Sequence, residues 1–162
     1  MEATNDQVVF ETSVFNSDFR FGGLPQLHLD VTPAGPGGSI YALMEDCSAE
    51  NECIHIGHAI MDLRYHEGGT EYQNIIPGVE IRAKMEFFAM DVLIPEGHKI
   101  RLSLRDIGED YLPPSTEAAV DISISGNSVL RIHEINTDGK IFFEPPVSVS
   151  YTHLTLPTRL LV

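Results

Sequence analysis

Pro95-Glu96-Gly97-His98-Lys99-Ile100-Arg101-Leu102-Ser103-Leu104-Arg105 decides the fold of this chain. Pro95-Glu96-Gly97 reads as a tight turn, and beyond it Ile100, Leu102 and Leu104 alternate with Lys99, Arg101, Ser103 and Arg105. Successive side chains of a strand point to opposite faces, so this stretch is a strand with one face in a core and the other in solvent. The same period recurs on both sides of it. Leu27, Leu29 and Val31 alternate with Gln26, His28 and Asp30, and Ile122 and Ile124 alternate with Asp121, Ser123 and Ser125. Runs rich in Val, Ile, Phe and Tyr over 7–12, 39–45, 53–65, 79–94, 128–135 and 140–143 predict further strands. Gly- and Pro-bearing clusters at 33–38, 67–69, 77–78 and 138–139 separate them, and Ser125-Gly126-Asn127-Ser128 reads as a hairpin turn. A helical period is confined to one short turn at 115–120. Many short strands without strand-helix alternation predict an all-β fold, an antiparallel two-sheet sandwich of the jelly-roll type. The two longest runs, 53–65 and 79–94, are long enough to bend or to bridge both sheets.

The chain has 162 residues, enough for one domain with an ordinary core. Asp+Glu number 24 against 10 Lys+Arg, a formal charge of -14 that repels phosphate backbones and anionic headgroups, so neither nucleic acid nor membrane is expected as a partner. No apolar run approaches the roughly 20 residues of a spanning helix. Met1 to Asp6 offer neither a basic start nor an apolar stretch, so no secretory signal is expected in the chain as it stands, and the compartment stays open.

Catalytic motifs are not expected. Gly37-Gly38-Ser39-Ile40-Tyr41 lacks the last Gly of a nucleophile elbow and leads from a loop into a strand. No phosphate-cradling loop precedes a helix, and no His-Glu-x-x-His occurs. His55 and His58 stand three apart in a predicted strand, which aims them at opposite faces unless a bulge lies between them. The acidic stretch from Glu45 to Glu52 has the oxygen ligands a hard cation needs but not the Asp-x-Asp-x-Asp-Gly spacing, so a solvated hairpin tip is the plainer reading. Cys47 and Cys53 flank its tip. Free thiols are the default there, a disulfide across the hairpin is the alternative, and a metal pair would need two more ligands. Arg64 and Arg82 are candidate anion contacts, although strand arginines usually lie along the sheet. No cofactor is expected.

Phe21-Gly22-Gly23-Leu24-Pro25, then Leu27-His28-Leu29-Asp30-Val31, Ala42-Leu43-Met44-Glu45-Asp46, Met61-Asp62-Leu63-Arg64-Tyr65 and Pro95 to Leu104 follow one another in that order. This succession resembles the C-terminal domain of Xaa-Pro dipeptidyl-peptidases, cocaine esterases and α-amino-acid ester hydrolases. The run Gly97 to Leu102 is its most distinctive part, and the likeness extends over about Val8 to Glu144. The resemblance implies a jelly-roll sandwich of the galactose-binding-like kind, following an α/β-hydrolase domain that carries the serine, the acid and the histidine. None of those three matches a position here, so no catalytic residue is expected and the chain alone should be inactive. The residues carried over are structural: Gly97, His98, Arg101, Leu102, Asp30, Asp46, Arg64 and Tyr65. Gly22-Gly23 suits a bend or a close approach between strands, and the ring of His98 could brace its own turn. Cys47 and Ser48 stand at the loop where relatives commonly run Asp-Pro-Asp-Gly, and Arg105-Asp106-Ile107 after the Gly-His strand is a second departure from the family pattern.

The expectation is a non-catalytic accessory domain of a serine hydrolase, a peptidase or an acyl-ester hydrolase. Its partner would be the α/β-hydrolase domain of the same parent chain, whose substrate cleft or oligomer it would shape. The alternative is a free-standing ligand- or carbohydrate-binding module, with Tyr41, Tyr65, Tyr72 and Tyr111 as stacking surfaces, which the lack of Trp weakens. A third possibility is an assembly domain with no ligand. Residues 1–146 form the expected domain. Val149 to Thr158 looks like one frame of a transposase-derived sequencing adaptor, so 147–162 is read as a non-native tail, against the alternative of a genuine last strand.

Overall fold

A computed structural model of the chain describes residues 7–105 and 121–135. The elements in order are β1 (Gln7–Glu11), β2 (Phe19–Pro33), β3 (Ser39–Cys47), β4 (Cys53–Asp62), a 3₁₀ turn (Leu63–Tyr65), β5 (Ile81–Glu86), β6 (Met90–Ile94), β7 (Lys99–Arg105), β8 (Ile122–Ile124) and β9 (Val129–Glu134). The short helix expected at 115–120, the strand at 140–143 with its turn at 138–139, Tyr111 and the tail lie outside the described residues.

The strands form two antiparallel sheets. One runs in the order β1, β7, β3, β4. The other is built on β2: β6 pairs with Phe19 to Gly23, β5 pairs with Gln26 to Val31, and β9 and β8 pair with it as well. Phe21, Leu27, Leu29 and Val31 of β2 face Ile40, Ala42 and Met44 of β3 and Ile100, Leu102 and Leu104 of β7 across one hydrophobic core. The alternation read from the sequence is this inward face. Two sheets packed by their apolar faces make the expected all-β sandwich.

Two local irregularities shape it. Between β5 and β6 the chain leaves the ladder at Phe87-Phe88-Ala89, buries Phe87 and returns to the same partner strand. The long run over 79–94 therefore bends but stays in one sheet. The run over 53–65 does not bridge the sheets either, since its strand pairs with β3 and then closes in the 3₁₀ turn. Opposite the bend, β2 itself bulges: its register against β9 shifts between Gly22 and Gln26, and Gly23 has a φ of 94°. A side chain on Gly22 would stand 3.3 Å from the Met90 carbonyl and 2.6 Å from a methyl of Ile135, so glycine permits the close approach. Pro25 follows within the same bulge, buried and with its carbonyl accepting from the Phe87 amide at 2.9 Å. The Ser125 to Ser128 turn is tight as expected, its Ser128 hydroxyl donating to the Ser125 carbonyl and accepting from the Asp30 amide.

Candidate functional site

The residues singled out in the sequence fall into two groups. The first surrounds the Gly97 turn. Gly97 has a φ of 83°, its amide donates to the Phe15 carbonyl at 2.8 Å, and the His98 amide closes the turn on the Pro95 carbonyl. With its turn held by backbone bonds, the His98 ring is spent elsewhere: Nδ1 lies 2.7 Å from a carboxylate oxygen of Asp46 in β3. A carboxylate only accepts, so Nδ1 carries the proton and the ring ties the start of β7 to the end of β3. Arg101 donates from Nε to Glu11 at 2.8 Å and from Nη2 to Asn51 at 3.2 Å, while Nη1 stands 3.0 Å from Cys53 Sγ. Lys99 reaches the other oxygen of Glu11. Hydrogen bonds from Lys99 and Arg101 hold the Glu11 carboxyl below its ordinary range. Leu102 turns the other way, into the core. One charged network thus clamps β1, β7 and the β3–β4 hairpin together.

The second group lies on the other sheet and beside the 3₁₀ turn. Asp30, buried, accepts two bonds of 2.6 Å from the guanidinium of Arg82 on β5, and these hold its carboxyl below the usual range. Asp62 caps the 3₁₀ turn through the Arg64 amide and also receives the Arg64 guanidinium. Burial would raise the Asp62 carboxyl, but the bonds from Arg64 outweigh it. Both candidate anion contacts are therefore taken up by carboxylates within the fold. Tyr65 is partly exposed and meets Tyr72 edge to face at 6.4 Å.

Next to Tyr65 opens a cleft of about 440 Å³, lined by Gln26, His28, Asp62, Lys84 and Glu86 with Gly68 and Gly69 at its rim. Burial, aided by Arg131, Arg82 and Lys84, pushes the His28 imidazole below its usual range. The lining contains no serine, threonine or cysteine, its one hydroxyl is the Tyr65 phenol, and the arrangement can hold a polar group. Gln26, Lys84 and Glu86 were not singled out in the sequence. They are simply the solvent-side positions of two alternating strands, and only the pairing of β2 with β5 assembles them.

Three expectations are corrected. Cys47 and Cys53 are joined in a disulfide rather than free, because they sit directly opposite each other in the β3–β4 ladder with Cα atoms 4.1 Å apart. Of the acidic stretch, Asp46 is turned to His98, and Glu45 lies beside the two sulfurs, which as a disulfide are not available as thiolate ligands. His55 and His58 share one face: the register shifts between Met44 and Glu45, Ile56 is the extra residue, and the imidazole nitrogens are 3.4 Å apart. Tyr41 is no stacking surface for a ligand, since it is buried beneath Arg105 and against the ring of His58.

Residues 1–119 match the family described as the X-Pro dipeptidyl-peptidase C-terminal non-catalytic domain, and the chain belongs to that family, whose domain is joined to a catalytic hydrolase domain within one chain. Among solved structures it is similar to an aminopeptidase from the marine sediment archaeon Thaumarchaeota archaeon, with a TM-score of 0.71 at 14% identity, over 83% of this chain and 26% of that one. An α-amino acid ester hydrolase gives 0.68 at 13% identity, over 83% and 26%. A CocE/NonD family hydrolase from Staphylococcus aureus gives 0.66 at 11%, over 80% and 30%. The chain thus corresponds to between a quarter and a third of each of these proteins, and likenesses at such identities speak to the fold. No curated protein sequence matches it.

Proposed function

We propose that the chain serves a serine hydrolase, a dipeptidyl-peptidase or an acyl-ester hydrolase, by packing on its α/β-hydrolase domain and walling part of the substrate cleft. The observation that carries this reading is the family match over residues 1–119. The surface supports it. β1 is the edge of its sheet, and Val8, Val9 and Phe10 are each more than 40% exposed, an apolar edge at the end of the chain nearest a preceding domain. The same edge would support self-association of the parent. The native domain, in this proposal, ends near Pro146, and 147–162 is an appended tail.

Purified as it stands, the chain is expected to release nothing from Xaa-Pro anilides or short acyl esters. Turnover that titrates with a serine-directed inhibitor would sink the proposal. Resequencing the source locus tests the boundaries: an upstream in-frame Gly-x-Ser-x-Gly domain and a different sequence beyond Pro146 are expected, whereas a stop codon before Met1 with an intact tail would make this a free-standing module.

A further inference from the structure

The outward face of the β3–β4 pair holds two imidazoles that the clamp around Arg101 does not use. His55 Nε2 and His58 Nδ1 are 3.4 Å apart, with ring centroids 5.4 Å apart and ring planes inclined by 28°. They meet because of the bulge at Ile56, which brings a residue that strict alternation would send inward onto the face of its neighbour. A hydrogen bond between two exposed imidazoles gives little in return for that bulge, since water satisfies either ring equally well.

We infer that His55 and His58 form a two-imidazole binding site for one borderline divalent cation of the zinc or copper class, with water completing the ion's shell. Two nitrogens bound to one tetrahedral ion at about 2.0–2.1 Å stand roughly 3.3 Å apart, close to the separation found here. Imidazole suits zinc, copper and nickel, whereas calcium and magnesium need a cage of oxygens that this face does not provide. His58 binds through Nδ1, with its proton on Nε2, and its ring is held between the face of Tyr41 at 5.5 Å and the edge of Phe88 at 6.1 Å. Glu45 is the cross-strand partner of His55, but its carboxylate lies beside the Cys47–Cys53 disulfide and is not counted among the ligands. Arg101 stands across from Glu45 on β7 but is held by Glu11 and Asn51, and Arg105 is held over Tyr41 at 4.7 Å. A net charge of -14 raises the local concentration of any cation.

The test is calorimetric titration of the full chain with zinc chloride, alongside nitrogen hyperfine couplings in the electron paramagnetic resonance spectrum of the copper(II) form. One equivalent and couplings from two imidazoles are expected. His55→Gln and His58→Gln should each weaken binding about tenfold or more. His133→Gln, on the opposite sheet, should leave it unchanged. Circular dichroism melts of each variant show that the fold is kept. No saturable heat, or a one-equivalent isotherm that survives both His55→Gln and His58→Gln, would overturn the assignment. Neither result bears on the accessory-domain reading.

Discussion

Gly97 shows how much a single backbone position contributes to this fold. At a φ of 83° it turns the chain into β7 with its amide on Phe15, and nothing lies within 4 Å of where a side chain would start. The cost of Gly97→Ala is therefore conformational and not steric, about 1–2 kcal/mol for an L residue held in the left-handed region. Gly126→Ala has the same open space without a positive φ and should shift stability by less than about 0.5 kcal/mol. Urea midpoints of the two variants measure the difference. A Gly97→Ala protein as stable as the parent would mean that the turn relaxes to another conformation. The His98 ring is a separate matter: its partner is fifty-two positions away in Asp46, a pairing that no local reading of Pro95 to Lys99 could supply.

The β3–β4 hairpin is the element most dependent on a covalent tie. It is bounded by the Cys47–Cys53 bridge, six residues apart, and its tip is further held by the Ser48 hydroxyl on the amides of Glu50 and Glu52. A loop this short corresponds to about 2 kcal/mol of chain entropy removed from the unfolded state. Dithiothreitol should lower the urea-derived stability by about that amount, and Cys47→Ser with Cys53→Ser should reproduce the loss and abolish the response to the reductant. An unchanged midpoint would show that the remaining ladder suffices. What was legible in the sequence at this scale is the inward face of each strand, because burial imposes the period directly: Leu27, Leu29, Val31, Ile100, Leu102 and Leu104 all sit where alternation puts them. What was not legible is where alternation is interrupted. Phe19 to Pro25 belongs to the longest described strand, and its two glycines and proline suggest a bend or close approach without placing the stretch inside a strand, because the bulge that tolerates them is set by neighbours in β5, β6 and β9. Ile56 carries no mark of being a bulge residue, so His55 and His58 read as pointing apart. Cys47 and Cys53 could not be paired until the ladder register was known.

At the scale of the molecule, four carboxylates paired with arginine or lysine share one electrostatic condition. Glu11, Asp30 and Asp91 are held low chiefly by hydrogen bonds from Lys99 and Arg101, Arg82 and Arg20, and Asp62 by those of Arg64 against its burial. A folded-state carboxyl below its unfolded value adds stability that is complete above the unfolded value and is lost as the pH falls through the folded one. Acid should therefore destabilise the domain below about pH 4, where unfolded carboxyls begin to take up protons. Asp30→Asn should flatten that limb of the stability–pH curve, measured by urea titration at each pH, and an equally steep limb would place the acid response elsewhere. The same connections have a kinetic side. Gln26 to Val31 of β2 pair with residues 50 to 60 positions further along, and the last strand on this partner is more than a hundred positions from it. At ribosomal rates of roughly 5–20 residues per second, the hydrogen-bonding edge of β2 over Gln26 to Val31 waits several seconds for its β5 partner. The sandwich is thus a late-closing structure of high contact order, whose central strand is the segment most in need of shelter while the nascent chain is still growing.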